Sequence, residues 1–315
     1  MRAEGPPQGS NCAPAGGSEA AKPRAWGDPT SAAAPVAGGI GALVAAELDP
    51  AYRRRVETVV EWLPPSADEC SHIVDIGCGR GYFAHYYATL GQHAITGVEI
   101  DAVVATRAAA THAAQPRVAI IRADATALPL GTATCSGAIL SEVLEHVGDD
   151  AAVLRETLRV LRAGAIAAIT VPHVNFPWAW DPVNRTLQSM RLQPVRKGPL
   201  AGIWAGHVRL YDIDALRRVV QGAGFVIEEE RAMVRHCLPF SHNLLYGIGK
   251  PLLESGWLPA TIAGSIDRAR SPHADSSRIA AGLRRLLALR DGRNRVHEGF
   301  DVPSVGLAIK ARKPG

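Results

Sequence analysis

The chain has 315 residues, a formal net charge of +4 and 47% hydrophobic side chains, which suits one large α/β domain with additions or two small domains. No apolar run approaches the roughly 20 residues that span a bilayer, and the first residues lack the apolar core of a signal peptide, so we expect a cytoplasmic protein. The five cysteines are scattered without a C-x-x-C pair, which argues against a structural zinc site or a disulfide framework. The weak, dispersed charge favours a solvated surface over a nucleic-acid partner.

The amino-terminal part divides into a tail and a first helix. Residues 1–38 are predicted to form a disordered tail, because Ala, Gly, Pro and Ser dominate there and such a composition cannot offset the entropy of ordering. Asp49 is a suitable N-cap before the first-turn Pro50, and Pro64 ends the apolar helical pattern that follows. We expect this helix to pack beside a sheet or to cover a ligand.

Alternating strand and helix patterns fill residues 72–225. Strands are predicted over 72–76, 94–100, 118–123, 133–141 and 165–171, with helices from 82 and over 101–114 and 150–162. A helix over 212–221, a strand from Phe225 and a last strand over 304–311 follow. This order predicts an α/β fold with a Rossmann-like, doubly wound and mostly parallel seven-stranded sheet, in a single domain over 39–315.

Two segments exceed that minimal fold, residues 172–210 and 238–302. Both begin where a strand ends, and open α/β sheets bind their ligands at the carboxyl ends of the strands. We therefore expect the first segment to form a substrate pocket and the second to form a helical lid. The apolar pattern of the second segment leaves a lid, a dimer face and a transient membrane-surface contact open, and the oligomeric state is not predicted.

The strand over 72–76 runs into a glycine-rich loop. Gly77, Gly79 and Gly81 alternate after Asp75, and a helical pattern begins at Tyr82. Glycines at these positions allow a sharp turn and a close approach of the backbone to a ligand. The sequence therefore predicts a nucleotide or nucleoside loop at the end of the first strand.

The spacing G-x-G-x-G, with Asp75 two residues before the first glycine, resembles motif I of the class I S-adenosylmethionine-dependent methyltransferases. Dinucleotide-binding proteins have G-x-G-x-x-G instead, so an NAD-dependent oxidoreductase is a minor alternative. Residues from about 43 to 225 resemble the family order, most closely the ubiquinone-type O-methyltransferase branch. The resemblance implies S-adenosylmethionine as cofactor, bound by Asp75, Gly77, Cys78, Gly79, Gly81, Glu99, Ile100, Asp124, Ala125, Leu140 and Ser141.

Three of these predicted ligands have assigned partners on the cofactor. Glu99 ends the second strand, where a carboxylate can accept hydrogen bonds from both ribose hydroxyls. Asp124 follows the third strand and resembles the acidic residue beside the adenine amino group, although it could instead cap a turn. Ser141 ends the fourth strand and resembles the residue beside the methionine part of the cofactor.

A cluster of polar residues follows the fourth strand. Glu142, Glu145 and His146 lie at i, i+3 and i+4, so on a helical turn they would converge. In ubiquinone-type O-methyltransferases and small-RNA 2'-O-methyltransferases, the similar E-x-x-E-H spacing holds a divalent metal such as Mg, which would lower the pKa of the acceptor oxygen. His207 or His173 would then supply a further ligand, although relatives without a metal also have the histidine.

The sequence predicts a methyltransferase that acts on a small-molecule acceptor, with O-methylation favoured and with His146 or His207 as the base. Three tryptophans, Trp178, Trp180 and Trp204, could line the pocket or pack in the core. RNA ribose 2'-O-methylation and a non-catalytic module that binds S-adenosylmethionine are the alternatives.

Overall fold

The computed structural model describes residues 39–45, 47, 49–66, 70–91, 93–237, 240, 294 and 299–315. The predicted tail over 1–38 and most of the predicted lid over 238–302 lie outside these residues, so neither prediction is tested. The segment over 172–210 lies entirely within them.

Seven α-helices and seven strands are present in the described part of the chain. The helices are α1 Gly39–Leu43, α2 Pro50–Trp62, α3 Tyr82–Leu90, α4 Ala102–Thr111, α5 Asp150–Val160, α6 Pro182–Ser189 and α7 Ile213–Gly222. The strands are β1 His72–Ile76, β2 Ala94–Glu99, β3 Val118–Arg122, β4 Cys135–Ser141, β5 Leu161–Pro172, β6 Val226–Met233 and β7 Gly306–Arg312.

The strands form one sheet in the order β3-β2-β1-β4-β5-β7-β6. Strands β1 to β5 pair in parallel, and β7 lies antiparallel between β5 and β6. The chain moves outward from β1 to β3 and then returns to β4 on the other side of β1. The predicted doubly wound, mostly parallel seven-stranded sheet is therefore confirmed.

Helices cover both faces of this sheet, because its central strands are apolar on both sides. On one face, Leu154 of α5 and Leu216 of α7 pack in a buried cluster with Leu140 of β4. On the other face, Val56 of α2 and Tyr87 of α3 pack in a second buried cluster. The sheet is thus fixed from both sides, and its carboxyl edge is held in one position.

Helix α2 begins and ends as the sequence predicts. The Asp49 side chain accepts a hydrogen bond from the Ala51 N–H at 2.9 Å, and proline occupies the first helical position. At its other end, the Trp62 indole N–H donates to Glu229 Oε2 at 2.9 Å. Helix α2 is therefore tied to β6, and its middle residues reach the carboxyl edge of the sheet.

The cysteines differ in part from the sequence-based interpretation. Cys70 is disulfide-bonded, although its spacing from the other cysteines gave no sign of a pair. Cys78, Cys135 and Cys237 are buried free thiols. None of the helices in the described part of the chain has the length and apolarity that crossing a membrane requires.

Candidate active site

The glycine loop joins β1 to α3 in the predicted conformation. Gly77, Gly79 and Gly81 have φ of +71°, +53° and +77°, a region that side chains other than glycine rarely occupy. The Gly77 and Cys78 N–H groups both donate to the Val98 carbonyl, at 2.8 and 3.0 Å. The loop is thereby anchored to β2 and leads into the amino terminus of α3.

Two of the three glycines face different surroundings. A Cβ at Gly77 would lie 2.6 Å from a methyl of Val143, whereas a Cβ at Gly79 would meet no heavy atom within 4 Å. At Gly77 the loop therefore packs against the segment that follows β4, and at Gly79 it faces open space. This open space lies at the carboxyl edge of the sheet, where a ligand is expected.

Glu99 organises the loop from the neighbouring strand. Its Oε2 accepts from the Gly79 N–H at 3.0 Å, and its Oε1 accepts from the Asp101 N–H at 2.9 Å. Asp101 itself is the N-cap of α4 and accepts from the Val103 and Val104 N–H groups. The interpretation of Asp101 as a helix cap is therefore confirmed, and Glu99 borders the same loop.

Asp75 lies directly beneath the loop and is 2% exposed. Its Oδ2 has no hydrogen-bond partner among the described residues. Burial, together with the nearby charge of Glu99, raises the pKa of Asp75 to about 8. The sequence predicted Asp75 as a cofactor residue but gave no sign of this raised pKa, which follows from its depth in the sheet.

The predicted adenine side of the site is open to solvent. The Ile100 side chain is 62% exposed beside Glu99. Asp124 is exposed, and its Oδ1 accepts from both the N–H and the hydroxyl of Thr126 at 2.8 Å. Asp124 therefore caps a turn through Oδ1, while its place beside the adenine amino group stays a prediction, and Ala125 lies half-buried within that turn.

At the end of β4, the backbone leaves the sheet through an unusual conformation. The Leu140 side chain is fully buried in the core, so only its backbone can face a ligand. Glu142 has a φ of +58°, which is rare and costly for a residue with a side chain. Its carboxylate forms an ion pair with Arg55 of α2 at 3.0 Å and accepts from the Thr170 hydroxyl at 3.3 Å.

The helical turn predicted to bring Glu142 together with Glu145 and His146 is not present, although the charge of Glu142 still acts on Glu145. Only residues 144–146 form a turn, and α5 begins at Asp150, so positions i, i+3 and i+4 do not share a helical face. The left-handed backbone at Glu142 and its ion pair with Arg55 direct this carboxylate toward α2. No local pattern in the sequence indicates the contact of Glu142 with Arg55.

A different set of three residues converges instead. Ligand atoms of Glu145, His146 and His207 all lie within 4.8 Å of one another. Glu145 Oε1 is 3.9 Å from His146 Nε2 and 4.0 Å from His207 Nε2, and the two imidazole rings meet edge to face with centroids 4.6 Å apart. The two histidines that the sequence offered as separate candidates for the base thus form one cluster.

Glu145 is the unusual member of this cluster. It is fully buried, and neither carboxyl oxygen has a hydrogen-bond partner among the described residues. Desolvation, and then the charge of Glu142, raises the pKa of Glu145 well above its usual range. A buried carboxyl of this kind is costly, and such groups are often found at functional sites.

The hydrogen bond of His146 fixes which ring nitrogen is basic. His146 Nδ1 lies 3.0 Å from the Gly206 carbonyl oxygen, and a carbonyl oxygen can only accept. Nδ1 therefore carries the hydrogen in the neutral ring, and Nε2 is left with the free electron pair. Because the His146 side chain is 46% exposed, this nitrogen is accessible to a ligand as well as facing Glu145.

Among the other predicted residues of the segment over 172–210, Trp204 adjoins the cluster, because its carbonyl accepts from the His207 N–H at 3.4 Å. His173 Nδ1 lies 2.8 Å from the Ser304 hydroxyl, and burial lowers the pKa of His173 to about 4. Trp180 is buried in a small apolar cluster, whereas Trp178 is 57% exposed. His173 and Trp180 therefore have structural surroundings, and Trp204 packs against the same apolar cluster as Trp180.

Known methyltransferases resemble the part of this chain that forms the parallel sheet. Residues 74–169, from β1 to β5, match the family model of a methyltransferase domain. Probable S-adenosylmethionine-dependent methyltransferases of Mycobacterium tuberculosis are 29% identical over 173 residues, which are 55% of this chain and 55% of the relative. The chain thus spans about half the length of the curated relatives it matches.

Two other relatives are named for their activities. The 27-O-demethylrifamycin SV methyltransferase of Amycolatopsis mediterranei is 31% identical over 159 residues, which are 50% of this chain and 56% of that protein. An O-methyltransferase of Pyrenophora dematioidea is 34% identical over 122 residues, which are 38% and 45% of the two chains. These relatives bear out the class of methyltransferase domain that the glycine loop predicts, and the ubiquinone-type branch stays a prediction.

One solved structure supports the fold. Phosphoethanolamine N-methyltransferase 2 of Haemonchus contortus, in complex with S-adenosylmethionine, has a TM-score of 0.50 and 17% identity over 84% of this chain and 53% of its own. At that identity the likeness concerns the fold alone.

We expect Gly77→Ala to weaken binding of S-adenosylhomocysteine and to lower the free energy of unfolding more than Gly79→Ala does. Both substitutions place a side chain at positive φ, at a cost of about 1–2 kcal/mol, but only the first adds a clash with Val143. Val143→Ala in the same chain should restore part of the loss. Thermal unfolding and titration calorimetry of the three variants measure this, and equal effects of the two glycine variants would contradict the packing of Val143 on the loop.

Asp75 should make the stability of the ligand-free protein depend on pH. Its pKa is raised in the folded state, so the folded protein keeps a proton that the unfolded chain loses above about pH 4. Between about pH 4 and 8 this contribution to stability therefore falls as the pH rises. Asp75→Asn removes the titration, so the free energy of unfolding of wild type minus that of the variant should decrease from pH 5 to 8. An unchanged difference would contradict the burial of a protonated Asp75.

Proposed function

We propose that this chain, which carries a methyltransferase domain of the S-adenosylmethionine-dependent class, transfers a methyl group from that cofactor to an oxygen of a small-molecule acceptor. The observation that carries the proposal is the cluster of Glu145, His146 and His207, which stands next to the glycine loop. Val143 touches Gly77, and Glu145 and His146 follow it by two and three residues.

The donor side is supported by the loop and its neighbours. Gly79 borders open space, and Glu99 ends β2 beside it and accepts from its N–H, which supports the assignment of Glu99 to the ribose hydroxyls. The protonated Asp75 lies deeper, beneath the loop. We assign the cofactor-binding role to these residues and to Ile100, Asp124 and Ser141, whose side chains border the same edge of the sheet.

The acceptor side requires removal of a proton when a hydroxyl is methylated. In the proposed step, the acceptor oxygen attacks the methyl carbon, the carbon–sulfur bond breaks, and the sulfonium becomes a neutral thioether. The hydroxyl proton passes to Nε2 of His146, the basic nitrogen of that ring. Glu145 lies 3.9 Å from this nitrogen, so the positive charge of the imidazolium that forms favours the ionised form of its buried carboxyl.

His207 has a positioning role in this proposal. Its ring packs edge to face on His146, and the carbonyl of its neighbour Gly206 holds His146 Nδ1. The Val208 N–H donates to the Glu145 carbonyl at 2.8 Å. The segment over 206–208 therefore orients both Glu145 and His146.

The same cluster also fits a divalent cation, which is a second arrangement for the same reaction. The cluster offers one carboxylate and two imidazoles, and their ligand atoms lie within 4.8 Å of one another. Such a mixture of oxygen and nitrogen ligands suits ions such as Mn or Zn. A bound ion would lower the pKa of an acceptor hydroxyl. Glu145, His146 and His207 would hold it, and Glu142 would not.

The experiment that tests the proposal compares variants of the cluster in methyl transfer from labelled S-adenosylmethionine to a cell extract. His146→Asn should lower the transfer rate by about 10²–10⁴-fold, the usual contribution of a general base, without changing the affinity for S-adenosylhomocysteine. His72→Asn, at the amino end of the sheet, is the matched control and should keep the rate. An unchanged rate in His146→Asn would sink the assignment of the base.

Chelation separates the two arrangements. If His146 is the base, exhaustive chelation leaves the rate unchanged. A rate that is lost on chelation and restored by Mn or Zn would instead support the cation and would reject His146 as the proton acceptor.

A further inference from the structure

The segment after β5 carries charge of one sign. Between residues 182 and 211 there are five basic side chains and no Asp or Glu. Arg209 pairs with Asp150 at 2.6 Å, and Arg185 donates to Asn175 at 2.6 Å. Arg191, Arg196 and Lys197 are exposed, and within the described structure no carboxylate pairs with Arg191 or Lys197.

The same segment exposes large apolar side chains. Trp178, Met190, Leu192, Leu200 and Val208 are 57%, 63%, 51%, 51% and 52% exposed. They are five of the ten large hydrophobic residues that are exposed in the described part of the chain. We call these five side chains, with the three exposed basic ones, the 178–208 surface.

This surface belongs to an ordered scaffold. Asn184 is fully buried, and its side-chain amide donates to the carbonyls of Leu200 and Ala201 at 3.2 and 3.0 Å. Its oxygen accepts from the Val195 N–H at 2.8 Å. The buried Asp181 in turn accepts from Asn184 and from the Ile203 N–H. The loop that carries the exposed apolar and basic side chains is therefore fixed from below.

Two members of the 178–208 surface, Arg196 and Val208, adjoin the proposed acceptor site. The Arg196 guanidinium lies over the Trp204 ring at 4.6 Å and donates to the His207 carbonyl at 2.9 Å. Val208 directly follows His207, and its backbone is bonded to Glu145. A molecule that covers this surface would thus stand beside the histidine pair.

We propose that the 178–208 surface docks this protein on a bilayer that contains anionic phospholipid. The docking itself does not depend on the reaction. If the proposed function also holds, the acceptor is an amphipathic molecule that the bilayer presents to His146. Anionic headgroups match the three exposed basic residues, and the exposed Met, Leu and Trp side chains enter the region between headgroups and acyl chains.

The mixture of side chains favours a bilayer over other anionic partners. Apolar area and electrostatic attraction to anionic lipids together determine the binding of a protein to a membrane surface, and each basic residue near the surface strengthens that attraction. Single-stranded nucleic acid would require aromatic rings on which bases stack, whereas four of the five exposed apolar side chains are aliphatic.

The test is co-sedimentation of the full chain with vesicles, in the presence of S-adenosylhomocysteine. Phosphatidylcholine vesicles with and without phosphatidylglycerol are compared at low and high salt. The charge variant combines Arg191→Gln and Lys197→Gln, and the apolar variant combines Met190→Ser and Leu192→Ser. The control combines Arg218→Gln on α7 with Val226→Ser on the edge strand β6, two exposed positions elsewhere on the molecule.

We expect wild type and the control to bind only the vesicles with phosphatidylglycerol, and the charge variant to bind them at least tenfold more weakly. The apolar variant should keep only weak binding that high salt abolishes. Unchanged affinity for S-adenosylhomocysteine shows that the variants are folded. The proposal is overturned if the wild-type protein does not bind anionic vesicles, the result expected if the surface binds an acidic protein instead. It is also overturned if both variants bind the vesicles as tightly as the control does. Because vesicle binding needs no methyl transfer, the proposed activity can fail while this proposal stands.

Discussion

The parallel pairing of β1 with β4 is the constraint on which the site depends. Ile76 of β1 lies opposite Leu140 of β4, so the two loops that follow these strands leave the sheet side by side. This is also where the strand order reverses direction, the place where open α/β sheets form their binding crevice. Val143 fills the space that Gly77 leaves empty, and the donor loop is thereby joined to the segment that carries the histidine cluster.

Much of the fold could be predicted because the information is local. The apolar run of β1, the cap at Asp49 and the alternation of strands and helices depend on neighbouring residues, and each of them lies where the sequence indicates. The glycine loop also follows from local chemistry, since only glycine fits its positive φ angles and the contact with Val143. The order of the strands follows from the rule that such sheets wind outward in two directions.

The cluster after β4 could not be predicted in the same way, because distant residues determine it. Helical spacing placed Glu142 with Glu145, but Arg55 from α2 and Thr170 from β5 hold Glu142 in a left-handed conformation. Gly206 lies 60 positions after His146 in the chain, yet its carbonyl is hydrogen-bonded to the His146 ring. The loop that brings Gly206 and His207 there is shaped by the buried contacts of Asp181 and Asn184. The buried, unpaired state of Glu145 likewise appears only when the surrounding core is in place.

The central claim is that donor and acceptor meet at this edge of the sheet and that the methyl group passes to an oxygen. Mass spectrometry of a membrane extract incubated with the protein and methyl-deuterated S-adenosylmethionine tests it most directly. The account predicts one amphipathic product that carries the intact labelled methyl group on oxygen, formed with an equal amount of S-adenosylhomocysteine. Binding of the cofactor with no labelled product, or a label found on nitrogen or carbon, would contradict it.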